Sequence, residues 1–448
     1  MYMYAYLGVL TVIYKKVLCI VIAVCIGLLL CGCKLFTVDT DELLSPPQLT
    51  GDAKPIQQAL NKSVQEYTLK YPSSGDRRSA VITEDIDSDG SLEALAFYST
   101  DDGEQIKMNV NILRKGKKGW RSVATSSIVA GGVDRVEFSD IDADGIKEIL
   151  IGWEIYGSSD KQLAVYSFKN KTLLQRMLKP YTQFVCCDLD ENGFEEIYVQ
   201  LLNTAEGTNN GLLYSIGKDG VSQIAGCIMD GTVKTVNTPK VSVLSTGKPA
   251  IYIDEVKGAG AITEVLVLSK GELINGMLDT ETTLENNKTI RPSSLPIFDI
   301  NDDGIPEIPI AKDLPSADET SSEKLYYTDW CSYNGETLTV KLTTIVNQLD
   351  GYYIEVPEKW FGKIAVLKDT DKNLRVIYSY DTQNGVIGEK TAQFKAVSED
   401  GYNIKSYRGY TEILKSNGKV FIGKVLSENK EFSVTSQELK KMFNVIQW

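Results

Sequence analysis

The chain has 448 residues, 43% of them apolar, a formal net charge of −13 and no histidine. This length and apolar content suit two or three domains with a buried core. The acidic balance argues against a nucleic-acid partner, and the lack of histidine excludes Ser-His-Asp and Cys-His nucleophile systems and the common His-bearing zinc sites.

Residues 1–32 read as a lipoprotein signal peptide. Lys15 and Lys16 precede an apolar run at 17–30, which ends in Leu30-Cys31-Gly32-Cys33. A basic start, an apolar stretch and small residues before the cut make a secretory signal. The run is shorter than the ~20 residues that spanning a membrane needs. Leu-x-Gly-Cys resembles a lipobox, which implies lipidation of Cys33 and an extracytoplasmic chain held on a bacterial cell membrane. Residues 33–72 supply a polar tether with Ser45-Pro46-Pro47, then a docking helix over 55–70. Ile56, Ala59, Leu60, Val64 and Tyr67 share one face of that helix.

Residues 73–347 carry a repeat. The pattern D-x-[DN]-x-[DN]-G-x-x-E occurs at Asp85, Asp87, Asp89, Gly90, Glu93; at Asp140, Asp142, Asp144, Gly145, Glu148; at Asp188, Asp190, Asn192, Gly193, Glu196; and at Asp299, Asn301, Asp303, Gly304, Glu307. An eroded copy around Gly247 has lost its acids. The five glycines lie 55, 48, 54 and 57 residues apart, the near-fixed period of a repeat architecture. Alternating oxygen ligands, a sharp-turn glycine and a closing acid suit a hard cation, calcium above all. Turn propensity explains the Asp, Asn and Gly but not a Glu at the ninth position. Short β-branched and apolar runs flank each loop, such as Ile149-Leu150-Ile151 and Ile197-Tyr198-Val199, so each loop joins two strands.

These loops resemble FG-GAP/VCBS-type repeats, the calcium-loop units of integrin-α-like β-propellers. The resemblance covers about three-fifths of the chain, and its specific part is the loop, since the FG-GAP dipeptides are not evident. It implies calcium at the acidic residues named above. The family's last ligand is often Asp, whereas Glu stands here in all four copies.

Each loop is followed by a strand, a longer loop and a hairpin, the clearest turning at Asn334-Gly335. Four strands per repeat is the number in a propeller blade. The expected fold is mainly all-β: a propeller of about five four-stranded blades with acidic calcium loops at one end, followed by a smaller α/β module at 348–448. The long connections at the other end carry further acids, Glu154, Asp254 and Glu255 among them. Cys186, Cys187, Cys227 and Cys331 lie in or beside strands and read as packed free thiols, with at most one of the adjacent pair facing the core. In the C-terminal module strands are expected at 363–367, 374–380, 391–396, 403–407, 412–414 and 420–425. A closing helix is capped by Thr435 and Glu438, with Leu439, Met442, Phe443 and Ile446 on its buried face.

The sequence-based expectation for function is a non-enzymatic, lipid-anchored surface protein whose calcium-stabilised propeller recognises a surface protein or cell-wall glycan. Two other readings stay open: an enzyme acting on polysaccharide through loop carboxylates, which need no histidine, and an architectural envelope protein without a dedicated ligand.

Overall fold

The computed structural model describes residues 51–446 apart from 102, 218–219, 282–283, 316–324 and 370–373. The signal segment and Cys33 lie outside the described residues. Helix α1 (Lys54–Ser63) starts with Pro55 in its first turn and buries Ile56, Ala59 and Leu60. It stops at Ser63, short of the expected 70, because Val64 turns to an extended backbone. Val64 and Tyr67 still pack on the same apolar cluster. Thr68–Leu69 then adds a two-residue strand beside Glu93–Asp101.

The repeats fold as antiparallel blades. Blade 1 comprises Val81–Glu84, Glu93–Asp101, Ile106–Gly116 and Gly119–Ile128; blade 2 comprises Gly132–Ser139, Glu148–Glu154, Lys161–Lys169 and Thr172–Tyr181. Blade 3 comprises Gln183–Cys187, Glu196–Asn203, Thr208–Gly217 and Gly220–Ile228; blade 4 comprises Lys240–Val243, Pro249–Lys257, Gly260–Ser269 and Glu272–Asn275. In blade 5 the first strand is reduced to a bridge between Phe298 and Glu307, followed by Ile308–Asp313, Tyr326–Tyr333 and Leu338–Asn347. The mainly β, propeller-type fold expected from the repeats is what forms.

Each inner blade is sandwiched between neighbours, so its second strand is buried on both faces and reads as an apolar run. Leu150 packs toward blade 3 while Ile149 and Ile151 pack toward blade 1. Likewise Ile251 and Ile253 meet blade 3, and Tyr252 meets blade 5. The same geometry corrects the reading of the cysteine pair. Cys186 joins the cluster between blades 2 and 3 and Cys187 the one between blades 3 and 4, so both thiols pack against core. All four described cysteines are free.

The outer faces of the first and last blades have other covers. Helix α1 lies on blade 1 over Ala94, Ala96 and Tyr98. The C-terminal module lies on blade 5, where Tyr327, Ile345 and Tyr352 meet Trp360, Phe394, Phe421 and Phe443. Flanking strands extend these two blades and do not build a sixth: Thr68–Leu69 joins blade 1, while Tyr352–Glu355 and Phe443–Val445 join blade 5. The module's own sheet is Ile364–Asp369, Leu374–Asp381, Val386–Ser398, Lys419–Val425 and Thr411–Ser416. The expected strand at 403–407 is a 3-10 turn, Ile404–Ser406, because the Asn403 side chain accepts from the Lys405 N–H and caps it. Helix α2 (Ser436–Met442) has the full capping box of Thr435 and Glu438. It ends one residue before Phe443, whose ring stacks on Tyr352 at 4.7 Å. Among the described residues no helix is long and apolar enough to cross a membrane.

Candidate metal centres and the cleft beside them

The four acidic loops repeat one set of bonds. The first Asp uses both oxygens to accept backbone N–H groups: Asp85 from Asp89 and Gly90, Asp140 from Asp144 and Gly145, Asp188 from Asn192 and Gly193, Asp299 from Asp303 and Gly304, all at 2.7–3.1 Å. The fifth residue accepts from the seventh, as in Ile146 N–H to Asp144 at 3.0 Å. The fourth position takes a left-handed backbone at Ser88, Ala143, Glu191 and Asp302, with φ of 49–60°. The glycines at position six lie at 83–86°, where a Cβ is disfavoured.

The ninth-position Glu has a duty that sequence reasoning missed. Its Oε2 accepts the N–H of the second loop residue: Ile86 to Glu93, Ile141 to Glu148, Leu189 to Glu196 and Ile300 to Glu307, at 2.9–3.1 Å. All four glutamates are buried. A Glu here therefore closes the turn as well as facing the ligand set. Burial pushes each carboxyl up, Glu148 and Glu307 to about 7.

With their outer oxygens held by backbone, the acids converge. Oxygens of Asp85, Asp87 and Glu93, of Asp140, Asp142 and Glu148, and of Asp188, Asp190 and Glu196 lie within 4.8 Å of one another. These clusters can hold a metal ion, and an all-oxygen set suits a hard cation. In the fourth loop an amide stands at the third position. Asn301 Nδ2 donates to Asp303 at 3.1 Å and to Glu307 at 3.3 Å. Blade 4 keeps Gly247 at φ 83° but not the cage. Its connection between Val243 and Pro249 is shorter, Leu244 is buried in it, and the strand that follows carries apolar Ala250.

The copies differ in what stands beside them. Arg114, paired with Glu93 across the sheet, lies against Asp87 and Glu93 of the first loop. In the second loop Ser167 donates to Glu148 Oε1 at 3.0 Å, and Lys169 pairs with Asp144 at 2.9 Å. This loop opens on a cavity of about 500 Å³. Asp142, Asp144 and Glu148 line it with Lys169, Arg176 and the half-exposed Phe194. Arg176 is fixed by donating to Ser167 Oγ at 3.3 Å and to the Gly217 carbonyl at 2.9 Å. Asp142 Oδ1 is buried with no hydrogen-bond partner among the described residues.

No family model matches the chain. No curated protein matches it either. Solved structures do. The exotype rhamnogalacturonan lyase YesX is 12% identical with a TM-score of 0.31, over 80% of this chain, which spans 63% of that protein. The rhamnogalacturonan lyase PL11 of Bacillus licheniformis is 12% identical with a TM-score of 0.31, over 80% of this chain and 90% of that one. The periplasmic gluconolactonase PpgL of Pseudomonas aeruginosa is 11% identical with a TM-score of 0.27, over 68% and 82%. These neighbours are named as enzymes, which stands against the expectation of a non-enzymatic recognition or adhesion platform. Likeness at this level says nothing of which reaction, and the chemistry rests on the chain's own residues.

The acids expected on the long connections at the opposite end of the blades are held by partners within the chain. Glu255 belongs to strand Pro249–Lys257 and is fully buried between blades 3 and 4, where it accepts from Gln200 at 2.6 Å and Asn209 at 3.0 Å. Asp254 is buried against Arg291 at 2.8 Å. Glu154 accepts from Ser73 at 2.6 Å. No period marks these partners, so the sequence gives no hint of them.

Proposed function

We propose that this chain is a calcium-loaded enzyme that acts on polysaccharide in the cleft beside the second acidic loop. The observation that carries this reading is the 500 Å³ cavity in which loop carboxylates, fixed cations and an exposed aromatic ring meet. Phe194 offers a face for a sugar ring, and Arg176 offers donors to its oxygens. Asp144 and Glu148 supply carboxylate ligands for calcium, and glycoside chemistry needs no histidine. A bound calcium would offset the repulsion among Asp140, Asp142 and Asp144 and polarise a sugar oxygen. The loop bonds and the FG-GAP/VCBS resemblance both support calcium as the ion. The Leu30–Cys33 pattern supports a lipid anchor at Cys33 and an extracytoplasmic place on a bacterial membrane.

The test is product release from a panel of acidic and neutral polysaccharides, in calcium and in chelator. Turnover should appear in calcium and fall at least tenfold in Asp144→Asn and Arg176→Gln. Phe194→Ala should raise KM more than it lowers kcat. No turnover on any glycan, or equal turnover in Asp144→Asn, would refute the reading.

A further inference from the structure

We infer that Arg114 is the built-in cation of the first acidic loop, so that this loop takes no calcium while its sister loops do. The inference rests on the calcium reading above and assigns it loop by loop. The four loops share the backbone bonds of the first Asp and the ninth-position Glu, and the first three each bring three acids together, so a difference between the first loop and those of blades 2 and 3 must come from outside the loop. It comes from the third strand of the blade. Arg114 is the cross-strand partner of Glu93. One step beyond the pair Ile149–Tyr166 the same place in blade 2 is Ser167, whose hydroxyl bonds Glu148. Continuing from Ile197–Tyr214 gives Ser215 in blade 3, and from Ile308–Cys331 gives Ser332 in blade 5. Three copies thus place a small neutral side chain over the Glu, and one places a guanidinium.

That guanidinium reaches into the ligand set. Arg114 contacts Asp87, and its Nε lies 3.0 Å from Glu93 Oε1. These are two of the three acids that converge in this loop. Arg114 is largely buried, and its Cζ sits 5.1 Å over the ring of Phe168 in blade 2, which holds it from the far side. A calcium ion entering the first loop would have to expel a positive charge that is already paired and stacked. In the second loop the nearest cation is Lys169, mostly exposed and bound only to Asp144 at the rim, and Glu148 meets the neutral Ser167 hydroxyl where Glu93 meets a guanidinium.

The test is to exchange the two residues and count ions. Calcium stoichiometry of the full mature chain, stripped with chelator and then titrated, is read by calorimetry and by native mass spectrometry. Arg114→Ser should bind one ion more than wild type, and Ser167→Arg one fewer. Arg114→Ser should also make blade 1 respond to chelator in hydrogen exchange, where wild-type blade 1 does not. The inference is overturned if wild type fills all four acidic loops, or if Arg114→Ser folds with an unchanged ion count and Ser167→Arg keeps its ion. If neither wild type nor Arg114→Ser binds calcium, the calcium reading of every loop fails, a result distinct from a full set of four.

Discussion

The two ends of the blades bury carboxylates in opposite ways. At the acidic-loop end, Asp and Glu converge around a common point and, outside the first loop with its Arg114, leave a charge that a metal ion can meet. At the other end, around blades 3 and 4, the chain meets its own charge. Asp254 pairs with Arg291, which also donates to the Leu295 carbonyl at 2.6 Å. Lys257 lies 2.8 Å from both Asp230 and Glu285. Glu255 and Glu264 are buried within each other's field and held by Gln200, Asn209, Asn275 and the Asp230 N–H, with burial and the Glu264 charge pushing Glu255 well up. The lesson is that blade 4, which lost its cation loop, sits in the part of the molecule whose neutrality is internal. Stability at one end should follow calcium, and at the other it should not.

Three perturbations sharpen this contrast, the largest first. Asp254→Ala strands the buried Arg291 and should cost about 3–5 kcal/mol. The loss in urea unfolding should be the same in calcium and in chelator. A loss that appears only in chelator would mean the two ends are coupled.

The second concerns pH. Glu255 and Glu264 are raised above the ordinary value of 4.5, Glu264 to about 7. The folded chain therefore holds a proton more tightly than the unfolded one. Its contribution is complete below about pH 4.5 and declines as pH rises through about 7. Stability should fall by up to about 1.4 kcal/mol per pH unit per proton in that window. Asp230, Tyr198 and Cys227 also face the pair, and Asp230 is tied to Lys257. Glu255→Gln supplies a permanent donor and should flatten the slope in saturating calcium. Glu148 and Glu307, also raised to about 7 by burial, add a decline of the same sign in chelator alone, because calcium would hold them ionised. Equal slopes in Glu255→Gln and wild type would remove Glu255 as the source of the decline.

The smallest effect belongs to the eroded loop. Gly247→Ala forces a side chain at φ 83° and should cost about 1 kcal/mol. The loss in melting curves should be indifferent to calcium, and a calcium-dependent loss would show a cation site in blade 4.

The acidic loops were legible because identical spacings recur, and a cage built within nine residues writes its ligands into one short stretch. The blades were legible for the same reason, as each adds the same four-strand run. What stayed hidden was long-range pairing without a period: Asp254 meets Arg291 across 37 residues, and Gln200 meets Glu255 across 55. Arg114 was hidden more subtly. It stands in a strand that looks ordinary, and only the register places it over Glu93. Glu255 was misplaced onto a surface loop because the strand Pro249–Lys257 runs further than its apolar stretch. The ends of α1 and α2 were overrun because apolar periodicity continues past the point where the backbone extends.

Anomalous diffraction from crystals grown in calcium tests the central claim most directly. A strong peak within coordination distance of Asp140, Asp142, Asp144 and Glu148, with another in the Asp188–Glu196 loop, is the predicted result. Empty or water-filled cages at millimolar calcium, with a melting curve unmoved by chelator, would contradict it and leave these loops as turns held by their own hydrogen bonds.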